Sequence, residues 1–587
     1  MAHLQDLTTE PSKPDTVEDT VTQVVLTASA SDHHARDWRF WMIFVCVTFA
    51  QFLTALELAS VTTALPSIVD ALHGEQFVWV GSAYTIAITA FSPLSGNSAQ
   101  IFGRRATMLV SLVVFIVGSA LCGAATSMNF LIAGRAAQGV GAGGIQVMCQ
   151  IIVSDMIPLR ERGVFNGFMA MSFIVASIIG PVVGGSLAQH GQWRWLFYLN
   201  IPICGVVALV VLLFLRLRTP PGALSEKLQM VDWIGNLLVI AATTSATIGL
   251  TWGGVQYPWS SARILVPLIL GLCGLVAFLV FEAFIPKHAI IPYAVLRHRT
   301  SASGYLQIIS LYIAIMSLLY RLFTPFLHNL PLTVHREQDY VPIYFQACKD
   351  ASPITSGVDI FGLAFSIAPM ELLAGFSVAK THHYRPQIWA SWVLVIIGIG
   401  LFSTIHVDTP LSHVIGFEII AGAGVGMMSA LAFFPMLAPL PVELNAQALA
   451  MYMFIRNFAN ILGVTISGTV LQNELTKHLP SALAQQFPQG SAIAYSIIPL
   501  IKTLQEPLKS EVQLAFTASL QDVWQVLIGI TGFGFLCSLL MEHLPLHTGV
   551  DEKWGLEDRD NARQQSHEME NRIGASPEDC NSPSQSK

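Results

Sequence analysis

Fourteen apolar runs of about twenty residues dominate this chain, at 41–60, 78–94, 107–125, 130–153, 164–187, 196–215, 233–252, 264–284, 305–323, 354–376, 388–405, 414–437, 448–471 and 523–544. Roughly 20 apolar residues make a helix long enough to cross the hydrocarbon of a bilayer. Runs this long, without polar alternation, do not suit the short strands of a membrane barrel. A lipid-exposed backbone must satisfy its own hydrogen bonds, which leaves the helix. The predicted class is an all-α polytopic membrane protein. Only 11% of the residues are charged, where soluble domains carry about 25%.

The charge that exists is concentrated at the ends. Residues 1–36 hold six acids against Lys13 and Arg36, and residues 551–587 hold nine acids against five bases, so −8 of the net charge of −7 lies in the tails. Both tails are polar and rich in Ser, Asp and Glu, a composition that predicts disorder. The long acidic head predicts no cleavable signal, so the first span directs insertion. Between spans, one alternating set of loops carries Arg104, Arg105, Arg160, Arg162, Arg216, Arg218, Lys227, Lys287, Arg297, Arg299, Lys380 and Arg385. The opposite set begins with two loops that have no base. The positive-inside rule places the basic set, and with it both tails, in the cytoplasm.

Inside the runs a few residues do not belong in lipid. Arg135 stands in "AGRAAQGVGAGG", with Gln138 and Gly139 on the next turn. An arginine at a helix centre costs at least ~3 kcal/mol on insertion scales, so it must face a cavity or a partner. It cannot shed its charge. The alternative is a snorkelling arginine near a helix end. Glu57, in "FLTALELAS", is the strongest intramembrane carboxylate, with a protonated structural acid as its alternative reading; Glu371 and Glu418 are secondary candidates. In "ASIIGPVVGG", Ala176, Gly180 and Gly184 recur every four residues and make one smooth helix face, which lets helices approach closely. Pro181 breaks the backbone ladder beside it and Gly185 completes the pattern.

These stretches occur in a fixed order: "LELASVTTALP", "GNSAQIFGRR" (96–105), the Arg135 stretch and "ASIIGPVVGG". In that order and at those depths they resemble the major facilitator superfamily, specifically its fourteen-span drug:proton antiporters. "WRWLFYLNIP" and "VPIYFQACKDASPITSG" are similar to the fungal efflux branch. The resemblance implies two six-helix bundles plus two inserted helices, about 14 transmembrane helices in all. Its divisions are a tail (1–38), an N-terminal bundle (39–218), the inserted pair (231–286), a C-terminal bundle (300–545) and a second tail (546–587). It implies a midplane substrate site between the bundles and a proton-coupling role for Arg135 and Glu57, with Glu where the family usually has Asp. It implies that the Gly180-Pro181 motif marks exporters and seals the bundle interface in one state. It also implies a cytoplasmic latch loop built on Gly96, Gln100, Gly103, Arg104 and Arg105. Here Gln100 replaces the usual acid, so the expected latch has the family's shape without its charge; an amide there can accept a hydrogen bond from a helix N-terminus. The stretch from Gly375 to Arg385 follows span ten much as Gly96 to Arg105 follows span two.

Other features read as bland. His382-His383 has no Cys or acid at ligand spacing, so no metal is expected. "GVGAGG" lacks the strand before it and the Gly-Lys-Ser/Thr after it that a phosphate loop needs. No catalytic constellation and no ATP-binding cassette stand out, so neither an enzyme nor a cofactor is expected and energy must come from an ion gradient. The expected function is proton-coupled efflux of small amphipathic organic compounds. The expected protein is a monomer in the bilayer, in the plasma membrane or else the vacuolar membrane, without nucleic-acid partners. The alternatives are an importer of a solute such as an iron chelate or amino acid, and a nutrient sensor that does not transport. Residues 321–340, rich in Pro and charge, interrupt span nine. Joining Leu319 or Tyr320 to Val341 restores a continuous helix, as removal of a short retained intron would.

Overall fold

The computed structural model describes residues 37–546 apart from 74–77, 216–221, 255–256, 286–288, 320–340, 350–360 and most of 481–503. The tails 1–36 and 547–587 and the segment 321–340 lie outside the described residues. Fourteen long helices are present among the described residues. In the first half they are α1 (Trp38–Leu72), α2 (Val78–Ile101), α3 (Arg104–Gly123), α4 (Met128–Met156), α5 (Arg162–Gln189), α6 (Asn200–Phe214) and α7 (Trp233–Trp252). In the second half they are α8 (Ala262–Phe284), α9 (Arg299–Leu319), α10 (Phe361–Thr381), α11 (Arg385–Phe402), α12 (Leu411–Leu431), α13 (Asn445–His478) and α14 (Leu508–Leu539). By length and composition, 13 helices among the described residues can cross a membrane. The fourteenth, α2, has 24 residues and no charge. At 1.5 Å per residue it is about 36 Å long; its Ser, Thr, Gly and Asn only dilute its hydropathy.

The helices form two bundles. In the first, α1 packs on α4, α5 and α6, α4 packs on α2 and α3, and α3 also packs on α6. In the second, α12 packs on α10 and α11, α9 packs on α13 and α14, and α14 also packs on α11 and α13. The inserted α7 and α8 pack on each other, with α7 resting on α2 and α13. Among the described residues the bundles meet chiefly along two crossings, α2 with α13 and α5 with α10, with smaller contacts of α4 on α13 and of α5 on α12. At the first, Gly96 of α2 presses on Ala450; at the second, Gly375 of α10 presses on Gly163. The two stretches that echo each other in sequence therefore occupy corresponding crossings.

Helix ends depart most from the hydropathy reading. The last helix begins at Leu508, not 523, and ends at Leu539, not 544. Its first four turns mix apolar residues with Lys509, Ser510, Glu511, Gln513, Gln521 and Asp522, although most residues from Val512 to Leu520 are buried. A mean over such a stretch does not register as lipid-facing. In the same way α1 runs to Leu72 and α13 to His478. The run at 196–215 is two pieces: a short helix, Arg194–Tyr198, precedes α6.

Candidate functional site

Arg135 lies on α4 with none of its surface exposed. It does not snorkel. Its Nη1 donates to Glu57 Oε1 on α1 at 2.8 Å and to Gln138 Oε1 on its own helix at 2.7 Å, and its Nε donates to the Val80 carbonyl on α2 at 3.0 Å. Asn200 Nδ2, on α6, donates to the other Glu57 oxygen at 2.5 Å, and Gln138 Nε2 donates to Ser119 Oγ on α3 at 2.8 Å. The guanidinium also sits 4.2 Å from the ring centre of Tyr84 on α2, close enough for a cation–π attraction. Five helices of the first bundle thus converge on one charge. Glu57, Gln138, Asn200, Ser119 and Tyr84 are all buried.

This cluster is a polar layer between two apolar cores. Leu56, Tyr84, Phe115, Ala142 and Cys204 belong to the large core on one side; Val61, Val80, Cys122, Leu131 and Phe197 belong to a smaller one on the other. A charge in such surroundings is tolerable only when it is paired and its remaining donors are used. The glycines of "GVGAGG" make the layer compact. A Cβ on Gly139 would stand 2.5 Å from the Tyr84 carbonyl, and one on Gly143 would stand 2.8 Å from the Ile88 carbonyl, so α4 lies directly on α2 beside the arginine.

The motif of α5 packs inside its own bundle. Ala176, Gly180, Pro181, Gly184 and Gly185 are buried. A Cβ on Gly180 would meet that of Ala59 on α1 at 2.5 Å, and one on Gly184 would strike Ser60 and Thr63. The expectation that this face seals the interface between bundles does not describe this conformation: the face clamps α1 two residues beyond Glu57, and α5 meets α10 through Gly163 and Gly167 instead.

At the end that carries the basic loops, the latch residues find partners. Gln100 Nε2 donates to the Glu443 carbonyl, just before α13, at 3.0 Å and so ties one bundle to the other. The amide serves here through its donor side, whereas the sequence reading considered only its capacity to accept. Arg104 Nε pairs with Asp155 Oδ2 at the end of α4 at 2.8 Å, with both side chains almost fully buried. Gly103 precedes α3 with φ 91°, a conformation that suits glycine. Arg105 Nη2 donates to the Leu212 carbonyl at 2.5 Å in the last turn of α6, where a cation favours the helix dipole.

The secondary acids lie in the second bundle, apart from Glu57. Glu418 on α12 is fully buried beside Gly362, and Glu371 on α10 is buried within electrostatic range of Arg456 on α13. The sequence reading passed over Asn200, Tyr84, Ser119, Asp155 and Arg456. It also passed over Glu474, His478 and Asp522, whose ligand atoms lie within 4.8 Å of one another at the far end of α13. Glu474 there is held by Lys477 at 2.7 Å.

Comparison with known proteins agrees with this architecture. The model of the Major Facilitator Superfamily matches residues 47–464. The "MFS-type efflux pump LUC4" of Fusarium sp is 35% identical over 542 residues, covering 91% of this chain and 93% of that protein. The "Efflux pump FUS6" of Gibberella moniliformis is 36% identical over 540 residues, covering 90% and 92%. Among solved structures, the human organic anion transporter MFSD10 (TETRAN) superposes with a TM-score of 0.53 at 12% identity, over 86% of this chain and all of that one, which shows a shared fold. With its two six-helix bundles, its inserted pair and efflux-pump relatives along nine-tenths of its length, this chain belongs to the major facilitator superfamily of membrane transporters.

Proposed function

We propose that the chain is a proton-coupled exporter of amphipathic organic compounds that works as a monomer by alternating access between its bundles. The observation that carries this reading is the Glu57–Arg135 pair, 2.8 Å apart and closed off from solvent on both sides. The names of its relatives support export as the direction. The basic loops support a cytoplasmic placement of the latch, and the plasma membrane is the expected location.

The pair can act as a proton-operated tie. Ionised Glu57 can only accept hydrogen bonds, and both of its oxygens are engaged, one by Arg135 and one by Asn200. A proton on either oxygen removes the negative charge and adds an O–H donor beside an existing donor, which weakens the bonds that Arg135 and Asn200 make to it. Arg135 keeps Gln138 and the Val80 carbonyl as acceptors; α1 is what loosens, from α4 or from α6. Loading and unloading of Glu57 then changes how α1 sits in the first bundle, which is the kind of two-state element that alternating access requires. One pH unit is worth about 1.4 kcal/mol per proton. A one-for-one exchange therefore sustains roughly a tenfold substrate ratio per unit of gradient.

The test is export of a lipophilic fluorescent dye from proteoliposomes under an imposed pH gradient. The wild type should drive uphill movement that collapses with the gradient. Glu57→Gln keeps the size and removes the titration; it should insert, bind dye and allow no gradient-driven accumulation. Gradient-driven export by this variant at the wild-type rate would end the assignment.

A further inference from the structure

We infer that Arg456, framed by Tyr312 and Tyr452, anchors the acidic group of the transported compound: a carboxylate or comparable oxyanion on an aromatic, amphipathic body. This rests on the reading of the chain as a carrier of such compounds. It adds a charge requirement which that reading does not contain.

Arg456 is the opposite of Arg135 in every respect that matters. It stands eleven residues into α13, about three turns from Asn445. It keeps accessible surface there, whereas Arg135 keeps none. Arg135 has a carboxylate at 2.8 Å; among the described residues, none lies within 4.0 Å of the Arg456 side-chain nitrogens. An arginine remains charged at this depth, and five N–H donors need acceptors. The compensating charge is Glu371, within electrostatic range on α10, a helix that makes little direct contact with α13. Glu371 thus offsets the charge from a distance, and the Tyr452 hydroxyl takes one side-chain hydrogen bond from the guanidinium, which leaves its other donors for a ligand.

What surrounds the guanidinium selects a ligand. The Tyr312 ring on α9 lies 5.0 Å from it. The Tyr312 and Tyr452 hydroxyls are 3.0 Å apart, and their rings meet edge to face at 6.5 Å. Tyr452, Arg456 and Asn460 recur at intervals of four and so share one face of α13. Asn460 Oδ1 and, one residue after the arginine, Asn457 Nδ2 are buried without a hydrogen-bond partner in the described structure. An unpaired amide at such depth costs energy unless something else binds there. One fixed cation, two aromatic rings and spare amide groups fit a planar body with one negative oxygen group. They do not fit an organic cation.

The probe is 1-naphthylacetate against its methyl ester, which lacks the charge and carries one extra methyl group. Binding to the full chain in lipid nanodiscs is read as a shift of the thermal unfolding midpoint across a concentration series. The acid should raise the midpoint and the ester should not. Arg456→Gln should weaken the acid by about tenfold or more, the size expected for losing a charge-assisted bond, and Arg456→Lys should restore part of it. Glu371→Gln should bind the acid more tightly, because the internal counter-charge is gone; this arm stands even if Arg456→Gln fails to fold. Equal shifts with acid and ester, no shift with the acid up to millimolar, or unchanged acid affinity in a folded Arg456→Gln each overturn the inference. No pH gradient is used, so these outcomes are independent of the Glu57→Gln export test and the two readings can fail separately.

Discussion

The side-chain amide of Gln100 on α2 donates to the backbone carbonyl of Glu443 ahead of α13, 343 positions away in sequence and across the divide between the bundles. Removing it should loosen that end of the molecule. A neutral hydrogen bond is worth about 1 kcal/mol net, so Gln100→Ala should shift the balance toward the open state about fivefold. A cysteine at Asn445, a buried position beside the latch, should then react about fivefold faster with a membrane-impermeant maleimide. Gln100→Glu should behave like Gln100→Ala, since an ionised carboxylate cannot donate to a carbonyl. Equal labelling rates in all three proteins would show that the bond has no part in closure.

Arg135 should not be replaceable by lysine. Its fork serves the Val80 carbonyl through Nε and Glu57 and Gln138 through Nη1. A single ammonium cannot span those acceptors from the same backbone position. Arg135→Lys should leave at least one buried acceptor unpaired, at about 1–3 kcal/mol. It should lower the unfolding temperature and reduce export at least tenfold at equal expression. Full export by the lysine protein would mean that only the charge matters.

The sequence exposed one half of this site and hid the other for physical reasons. Arg135 and Glu57 were legible because charge inside a twenty-residue apolar run is costly and therefore conspicuous. Asn200 and Tyr84 were not: uncharged polar residues near a span end carry no such penalty, and only the fold brings α2 and α6 to the same point. Asp155 was passed over because an acid at the end of a span carries no such penalty, although it is the partner of Arg104. Arg456 was lost in "MYMFIRNFAN", where apolar neighbours keep the mean hydropathy high around one cation. The helix count is legible because it depends on total apolarity, whereas the start of α14 is not because Lys509, Ser510, Glu511, Gln513, Gln521 and Asp522 lower the mean hydropathy of its first turns. The small-residue face of α5 was visible as a spacing; that it rests on α1 and not on the other bundle is a fact of packing that no spacing contains.

Gly180 should tolerate no side chain. Even a methyl would place its carbon 2.5 Å from Ala59 Cβ, and overpacking of this kind costs about 1–3 kcal/mol. Gly180→Ala should lower thermal stability measurably. Gly180→Leu should push α5 off α1 next to Glu57 and abolish gradient-driven export while the protein still reaches the membrane. A Gly180→Leu protein with normal export would remove the link between this motif and coupling.

The segment 321–340 should be expendable. Helix α9 is continuous to Leu319, and the next described stretch, Val341–Cys348, is again helical and packs on α14. Apolar helix therefore stands on both sides of a segment that holds Pro325, Pro331, Arg321, His335, Arg336 and Glu337, residues that a span disfavours. Loops interrupting a helix are rarer than loops between elements. Deleting 321–340 joins Tyr320 to Val341 and restores the apolar sequence "MSLLYVPIYFQ". The shortened protein should insert, unfold at the same temperature or higher, and export the dye at the wild-type rate. Sequencing the mature transcript gives an independent check, since a retained intron of about sixty nucleotides would be missing from most copies. A deletion variant that fails to reach the membrane, together with transcripts that uniformly encode the segment, would establish 321–340 as a working part of the transporter.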